Sequence, residues 1–269
     1  MEVRAKKALG QHFLTDQRIA EDIVNALQID NEQTADAGTG ADGAKRAQVL
    51  EVGPGMGVLT RHLLQREDID FRAVEIDRES VDYLHIHYPS IAGKLIQGDF
   101  LHLNFDRLFQ GDMSIIGNFP YNISSQIFFK VIDNRNRVPQ VVCMIQKEVA
   151  ERIAEKPGTK TYGILSVLLQ AWYDIEYLFT VGEGAFNPPP KVKSAVIRLK
   201  RNTRTQLDCD EIQFKAVVKT AFGQRRKTLR NSLKSLLPEG MNTQDEIFDL
   251  RPERLSVEDF VRLTKLIFG

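Results

Sequence analysis

The chain of 269 residues has two cysteines, one tryptophan and five histidines, and no net charge at neutral pH. Cys143 and Cys209 stand far apart in no CxxC or Cys/His spacing, so neither a disulfide framework nor a zinc site is indicated. His85 and His87 form the nearest histidine pair and read as part of a solvated helix or loop; no metal is expected. Long apolar runs are missing too. No window approaches the roughly 18 apolar residues of a membrane span, and the start MEVRAKKALGQHFL brings charges and glycine before any apolar stretch. The expected setting is the cytoplasm, with no membrane partner. No heptad or broad apolar stripe stands out, so a monomer is expected.

The length suits one large domain and a smaller one, because a single core seldom grows beyond about 250 to 300 residues. Charge is unevenly spread. Residues 191–234 carry thirteen Lys/Arg against Asp208, Asp210 and Glu211, and the remainder of the chain is acidic. A solvated face would explain part of this, but a local excess of that size marks a polyanion partner more often.

Residues 15–29 place Ile19, Ile23, Val24 and Leu27 at helical spacing, with Asp16 able to cap the start. Residues 30–48 are rich in Gly, Ala and Asp without periodicity and read as a flexible surface loop. From Val49 short β-rich runs alternate with helices: VLEV, FRAVEI, KLIQG, MSIIGN and QVVCMIQ. That alternation predicts a parallel sheet covered on both faces. IEYLFTV and SAVIRLK follow, joined by GEGAFNPPPKVK, which is too short for a helical crossover; this last pair is expected to be antiparallel. From Asp210 the pattern is helical. The expected fold is α/β, a Rossmann-like sheet, mostly parallel with its last strand antiparallel, which resembles the outline of a class I methyltransferase sheet, over residues 1–202, followed by a small all-helical domain over 203–269.

Gly53-Pro54-Gly55-Met56-Gly57 sits directly after a strand and opens a helix. Glycines allow a sharp turn and close approach to a ligand. The third glycine comes one position early for a dinucleotide fingerprint, and Pro54 removes an N–H that a pyrophosphate would use. A ligand without phosphates is favoured. Glu75, at the end of the next strand, is placed to accept both ribose hydroxyls of an adenosine, with Asp77 as the alternative. Asp99, after the third strand, can accept from an adenine N6 amine. Each acid alone reads as a surface loop residue; three successive strand ends together outline an adenosine pocket.

The run SIIGN ends at Asn118-Phe119-Pro120-Tyr121. The motifs EVGPGMG and NFPY, with Glu75 and Asp99, resemble those of S-adenosylmethionine-dependent enzymes that methylate the exocyclic amine of adenine. LGQHFL at residues 9–14, FNPPPKVKSAV at 186–196 and the basic helical tail narrow the resemblance to the ribosomal RNA adenine dimethyltransferase family, over essentially the whole chain. Its bacterial members are similar to the small-subunit enzyme that modifies two adjacent adenines of 16S rRNA. His12 departs from the family's frequent GQNFL.

The resemblance implies that His12 and Leu14 close over the methionine part of S-adenosylmethionine, with Gly53 and Gly55 beneath it. It also implies that Glu75 holds the ribose, Asp99 the adenine, and that Asn118 lies near both cofactor and substrate. An adenine N6 lone pair is delocalised into the ring. If the Asn118 carbonyl and a main-chain carbonyl at Phe119 or Pro120 accept the two N–H protons, that lone pair is aimed at the sulfonium methyl. Tyr121 is the candidate to stack on the target base, and Phe186 the candidate for its opposite face; the bland reading makes both core residues. Arg225, Arg226, Lys227 and Arg230 are the candidate phosphate contacts to 16S rRNA in a small ribosomal subunit or its precursor.

Rival readings are an adenine methylase of large-subunit RNA, a DNA adenine methyltransferase, a non-catalytic ribosome assembly factor and a nicotinamide dehydrogenase. No insertion large enough for a DNA target-recognition region is visible, and the glycine spacing disfavours a dinucleotide.

Overall fold

The computed structural model describes residues 3–29 and 46–269, so the segment read as a loop at 30–48 lies outside the described residues up to position 45. Asp16 caps α1 (Gln17–Asn25) as its position predicts, accepting from the N–H groups of Arg18 at 2.9 Å and Ile19 at 3.1 Å. Ile23 and Val24 on its inner face are buried.

The alternating segment forms β2 (Ala47–Val52), α2 (Thr60–Leu63), β3 (Ile69–Glu75), α3 (Arg78–His87), β4 (Leu95–Gln97), β5 (Met113–Asn118), α4 (Ser124–Asp133), β6 (Gln140–Gln146) and α5 (Lys147–Ala154). α6 (Ile164–Gln170), β7 (Tyr173–Val181) and β9 (Ser194–Arg201) follow. The seven-stranded sheet has the order β4-β3-β2-β5-β6-β9-β7. β2 pairs parallel with β3 and β5, β3 with β4, and β5 with β6, whereas β9 runs antiparallel to β6. Every residue of β2 is buried, as expected of a strand covered on both faces. Parallel pairing brings the carboxyl ends of β2, β3, β4 and β5 to one edge.

A second, two-stranded pairing joins β1 (Phe13–Leu14) to β8 (Phe186–Asn187) in antiparallel register, Leu14 opposite Phe186. It is too short and too distant in sequence to leave a periodic signal.

By contacts the chain divides into Met1–Ala150 with Glu176–Arg201, and Glu151–Ile175 with Asn202–Gly269. The second unit thus takes in residues 151–175 besides the helical tail that sequence assigned to it from 203. α6 explains why: Leu165, Val167, Leu168 and Leu169 are all buried, and such a helix needs cover on more than one side. It packs on α7 (Glu211–Gly223) and α9 (Val257–Phe268). α7 is capped by Asp210, and α9 by a Ser256/Asp259 capping box. Between them α8 covers only Leu229–Ser232, and the Pro238-Glu239-Gly240 punctuation follows closely. Among the described residues no helix is long and apolar enough to cross a membrane.

Candidate active site

The strand ends open on a cavity of about 180 Å³, walled on its far side by residues 9–14. Glu75, at the end of β3, is buried, and both its oxygens are engaged: Oε2 accepts from Gly55 N at 3.0 Å and Oε1 from Asp77 N at 2.8 Å. Burial pushes its pKa up, and these N–H donors oppose the shift. Each oxygen keeps a second lone pair for a ligand hydroxyl.

Asp77, the alternative, is outside the cavity wall. It caps α3 through Glu79 N and receives Lys6 Nζ at 2.5 Å and Gln11 Nε2 at 3.3 Å. Burial pushes its pKa up, but the Lys6 and Gln11 bonds outweigh that and hold it below the ordinary value. Asp77 therefore anchors the N-terminal segment and Glu75 faces the cavity.

Gly53 and Gly55 line the cavity in left-handed backbone conformations. At Gly55 a Cβ would meet the Phe13 ring at 3.0 Å, so the N-terminal segment closes on a surface only glycine provides. Gly57 serves packing instead: its Cβ would strike Tyr88 and Leu84 of the α3 region, at 2.5 and 2.9 Å.

Asp99 lines the cavity half-buried; Oδ1 accepts from Leu101 N at 2.8 Å and Oδ2 lies 2.8 Å from His102 Nδ1. Asn118, the last residue of β5, donates from Nδ2 to the main-chain oxygen of His12 at 2.9 Å. That bond assigns the amide, leaving Oδ1 as its acceptor. The His12 ring is held in turn, Nδ1 lying 2.9 Å from Pro188 O, and its centroid is 5.3 Å from that of Tyr121. The Tyr121 hydroxyl lies 2.5 Å from Ser194 Oγ. Phe119 also lines the cavity but its ring is fully buried against Phe128, and Phe119 N donates to Met144 O. Pro120 O accepts from Ile123 N at 3.2 Å, closing the turn that leads into α4.

Ten of the expected residues thus meet at one cavity: His12, Leu14, Gly53, Gly55, Glu75, Asp99, Asn118, Phe119, Pro120 and Tyr121. Phe186 does not. It is 4% exposed, paired with Leu14 and packed in the core with Val181 and Val196, so it is no free face for a base. The β1–β8 register places its ring against the core.

Glu51, Ile76 and Leu101, to which the sequence assigns no role, also line the cavity. Glu51 is 1% exposed and accepts from Thr60 Oγ1 at 2.7 Å, and burial pushes its pKa up to about 8. Its position inside an apolar strand was the available signal. Ile76 stands 52% exposed beside Glu75, an apolar surface suited to a flat ring. Among the described residues the cavity wall has three carboxyl side chains and neither Lys nor Arg, which suits a cation and offers a phosphate no cationic partner.

The basic run lies in the other unit. Arg225 donates to the carbonyls of Thr159 and Lys160, with Glu253 3.9 Å from its Nε, and Arg230 pairs with Asp249 at 2.7 Å. Arg226 and Lys227 are exposed in the turn before α8.

The model of the family described as ribosomal RNA adenine dimethylase matches residues 2–267. The ribosomal RNA small subunit methyltransferase A of Parabacteroides distasonis is 57% identical over 265 residues, 97% of this chain and 93% of the relative. The protein of the same name from Bacteroides thetaiotaomicron is 54% identical over 267 residues, 98% and 94% of the two chains. A dimethyladenosine transferase from Plasmodium falciparum shares the fold at a TM-score of 0.70 and 23% identity, over 94% of this chain and 96% of that one. With a family match over almost its full length, and a strand-end cavity that carries the family's motifs, the chain belongs to the ribosomal RNA adenine dimethylase family.

Proposed function

We propose that this enzyme transfers methyl groups from S-adenosylmethionine to the N6 amines of two adjacent adenines in small-subunit rRNA, giving N6,N6-dimethyladenosine. The observation that carries the reading is the Asn118 amide, whose Nδ2 is fixed by His12 O so that Oδ1 is offered as an acceptor. Around it the cofactor is assigned to the acid-lined cavity: Glu75 to the ribose, Asp99 to the adenine amine, Ile76 and Leu101 to the faces of the ring. Gly53 and Gly55 lie beneath the methionine portion, His12 and Leu14 above it. The sulfonium and ammonium of the cofactor are cations, and Glu51 is the buried carboxylate suited to meet one of them.

In the transfer the N6 lone pair forms the N–CH₃ bond as the S–CH₃ bond breaks, and its electrons return to sulfur; the extra proton on N6 passes to water. Asn118 Oδ1 and the Phe119 carbonyl accept the amine protons; Pro120 O, already in its turn, is the poorer acceptor. For the second methyl only one N–H remains, and an amide serves with one acceptor. Tyr121 offers one ring face to the base, since His12 lies against the ring and Ser194 fixes its hydroxyl. Arg226 and Lys227 are assigned to RNA phosphates.

The test is incubation with labelled S-adenosylmethionine of unmethylated small subunits, large subunits and duplex DNA in parallel. Label in small-subunit RNA alone is expected; label in large-subunit RNA or DNA would keep the chemistry and reject the substrate.

A further inference from the structure

Two short 3-10 turns, Phe100–His102 and Phe105–Arg107, follow β4, and the first gives Phe100 and Leu101 to the cavity wall beside Asp99. Each is a single turn with a side-chain cap, Asp99 bonding Leu101 N and Asn104 bonding Asp106 N. Turns of this kind have poor hydrogen-bond geometry and need outside support to keep one shape.

That support comes from Lys130, a half-buried residue of α4. Its Nζ donates to Leu101 O at 2.9 Å and to Leu103 O at 2.7 Å, joining the end of the first turn to the link before the second. The same ammonium sits 4.9 Å from the Phe105 ring centroid and 5.7 Å from that of Phe100. Burial lowers its pKa and the nearby Asp99 carboxylate partly restores it. An exposed lysine on a solvated helix face would have none of these four partners. α4 begins three residues after Tyr121, so one side chain ties the turns to the element that carries the target loop.

Resting on the cofactor assignment above, we propose that Lys130 is a positioning residue for the purine end of the cofactor pocket, holding Leu101 and the Asp99 turn in the shape that selects a 6-amino purine. It touches neither cofactor nor substrate and acts through the turn. Two donors leave with the side chain, and the loop then samples shapes in which Asp99 and the Leu101 wall no longer face one ring together.

Calorimetric binding of S-adenosylhomocysteine and of its 6-oxo analogue S-inosylhomocysteine to the full chain, Lys130→Met and Lys130→Arg tests this. Met keeps the apolar stem over Phe100 and Phe105 and cannot donate; Arg can. Lys130→Met should bind S-adenosylhomocysteine about tenfold more weakly and lose most of the preference over the inosyl compound. Its kcat at saturating cofactor should stay within about twofold while KM for S-adenosylmethionine rises. Lys130→Arg should recover most of the affinity. Wild-type affinity and selectivity in Lys130→Met would overturn the proposal. So would equal losses in kcat and affinity with a lowered Tm and no recovery in Lys130→Arg, which would mark a purely structural lysine. Failure of the wild type itself to bind S-adenosylhomocysteine would instead reject the cofactor assignment.

Discussion

At the cavity, Glu75, Asp99 and Asn118 each engage the protein with part of their hydrogen-bonding capacity and keep acceptor capacity for a ligand. In the basic run, by contrast, Arg225 and Arg230 are bound by Thr159, Lys160 and Asp249, while Arg226 and Lys227 stand in solvent. Both stretches look functional in sequence. They differ because the first is built on strand ends, where the backbone dictates which way a side chain points, and the second on a turn and the short α8, where partners arrive from remote positions. A motif tied to backbone geometry carries its orientation with it; a count of charges does not.

The sharpest way to break this contrast is at Asn118. Asn118→Ala should reduce methyl transfer by about 10²–10³-fold or more, as loss of a preorganised polar contact to the reacting group does, while S-adenosylhomocysteine binding changes little. Turnover near the wild-type rate would remove the amide from the mechanism.

Glu51 tests whether the cavity is poised for a cation. Its pKa of about 8 in the folded chain lies above the ordinary 4.5, so the neutral form stabilises the fold. That contribution is fully present below about pH 4.5 and is lost as pH rises through about 8. Glu51→Gln should therefore raise Tm of the ligand-free protein at pH 8.5, by an amount worth on the order of a few kcal/mol, with no gain near pH 4.5. The same substitution should weaken S-adenosylmethionine binding. A pH-independent difference in Tm would show that Glu51 does not titrate in this range.

The basic run is sharpened by separating its members. Arg226→Glu with Lys227→Glu should weaken RNA binding and lower its salt slope by about one to two units, with Tm unchanged. Arg225→Ala should do the reverse, lowering Tm through the lost Thr159 and Lys160 contacts with little effect on the slope. Identical behaviour of the two variants would erase the distinction drawn from the ion pairs.

The strands, their parallel order and the glycine turn were legible because they rest on local periodicity and on backbone conformations that few residues adopt. Glu75 over Asp77 was legible only as a preference, because Asp77 is engaged by Lys6, seventy-one positions away from it, which no local pattern reveals. The burial of Phe186 is hidden for the same reason: its pairing partner Leu14 lies far off in the chain, and a two-residue pairing has no period. The support of the Asp99 turn by Lys130 was equally hidden, since the lysine reads as an ordinary polar position on an amphipathic helix.

The most direct test of the central claim is nucleoside analysis of small-subunit RNA after reaction with the purified enzyme and S-adenosylmethionine. N6,N6-dimethyladenosine is expected, with N6-methyladenosine as its transient precursor. Label in another nucleoside, or on ribose, would contradict the assignment of Asn118 and Tyr121 to an adenine amine.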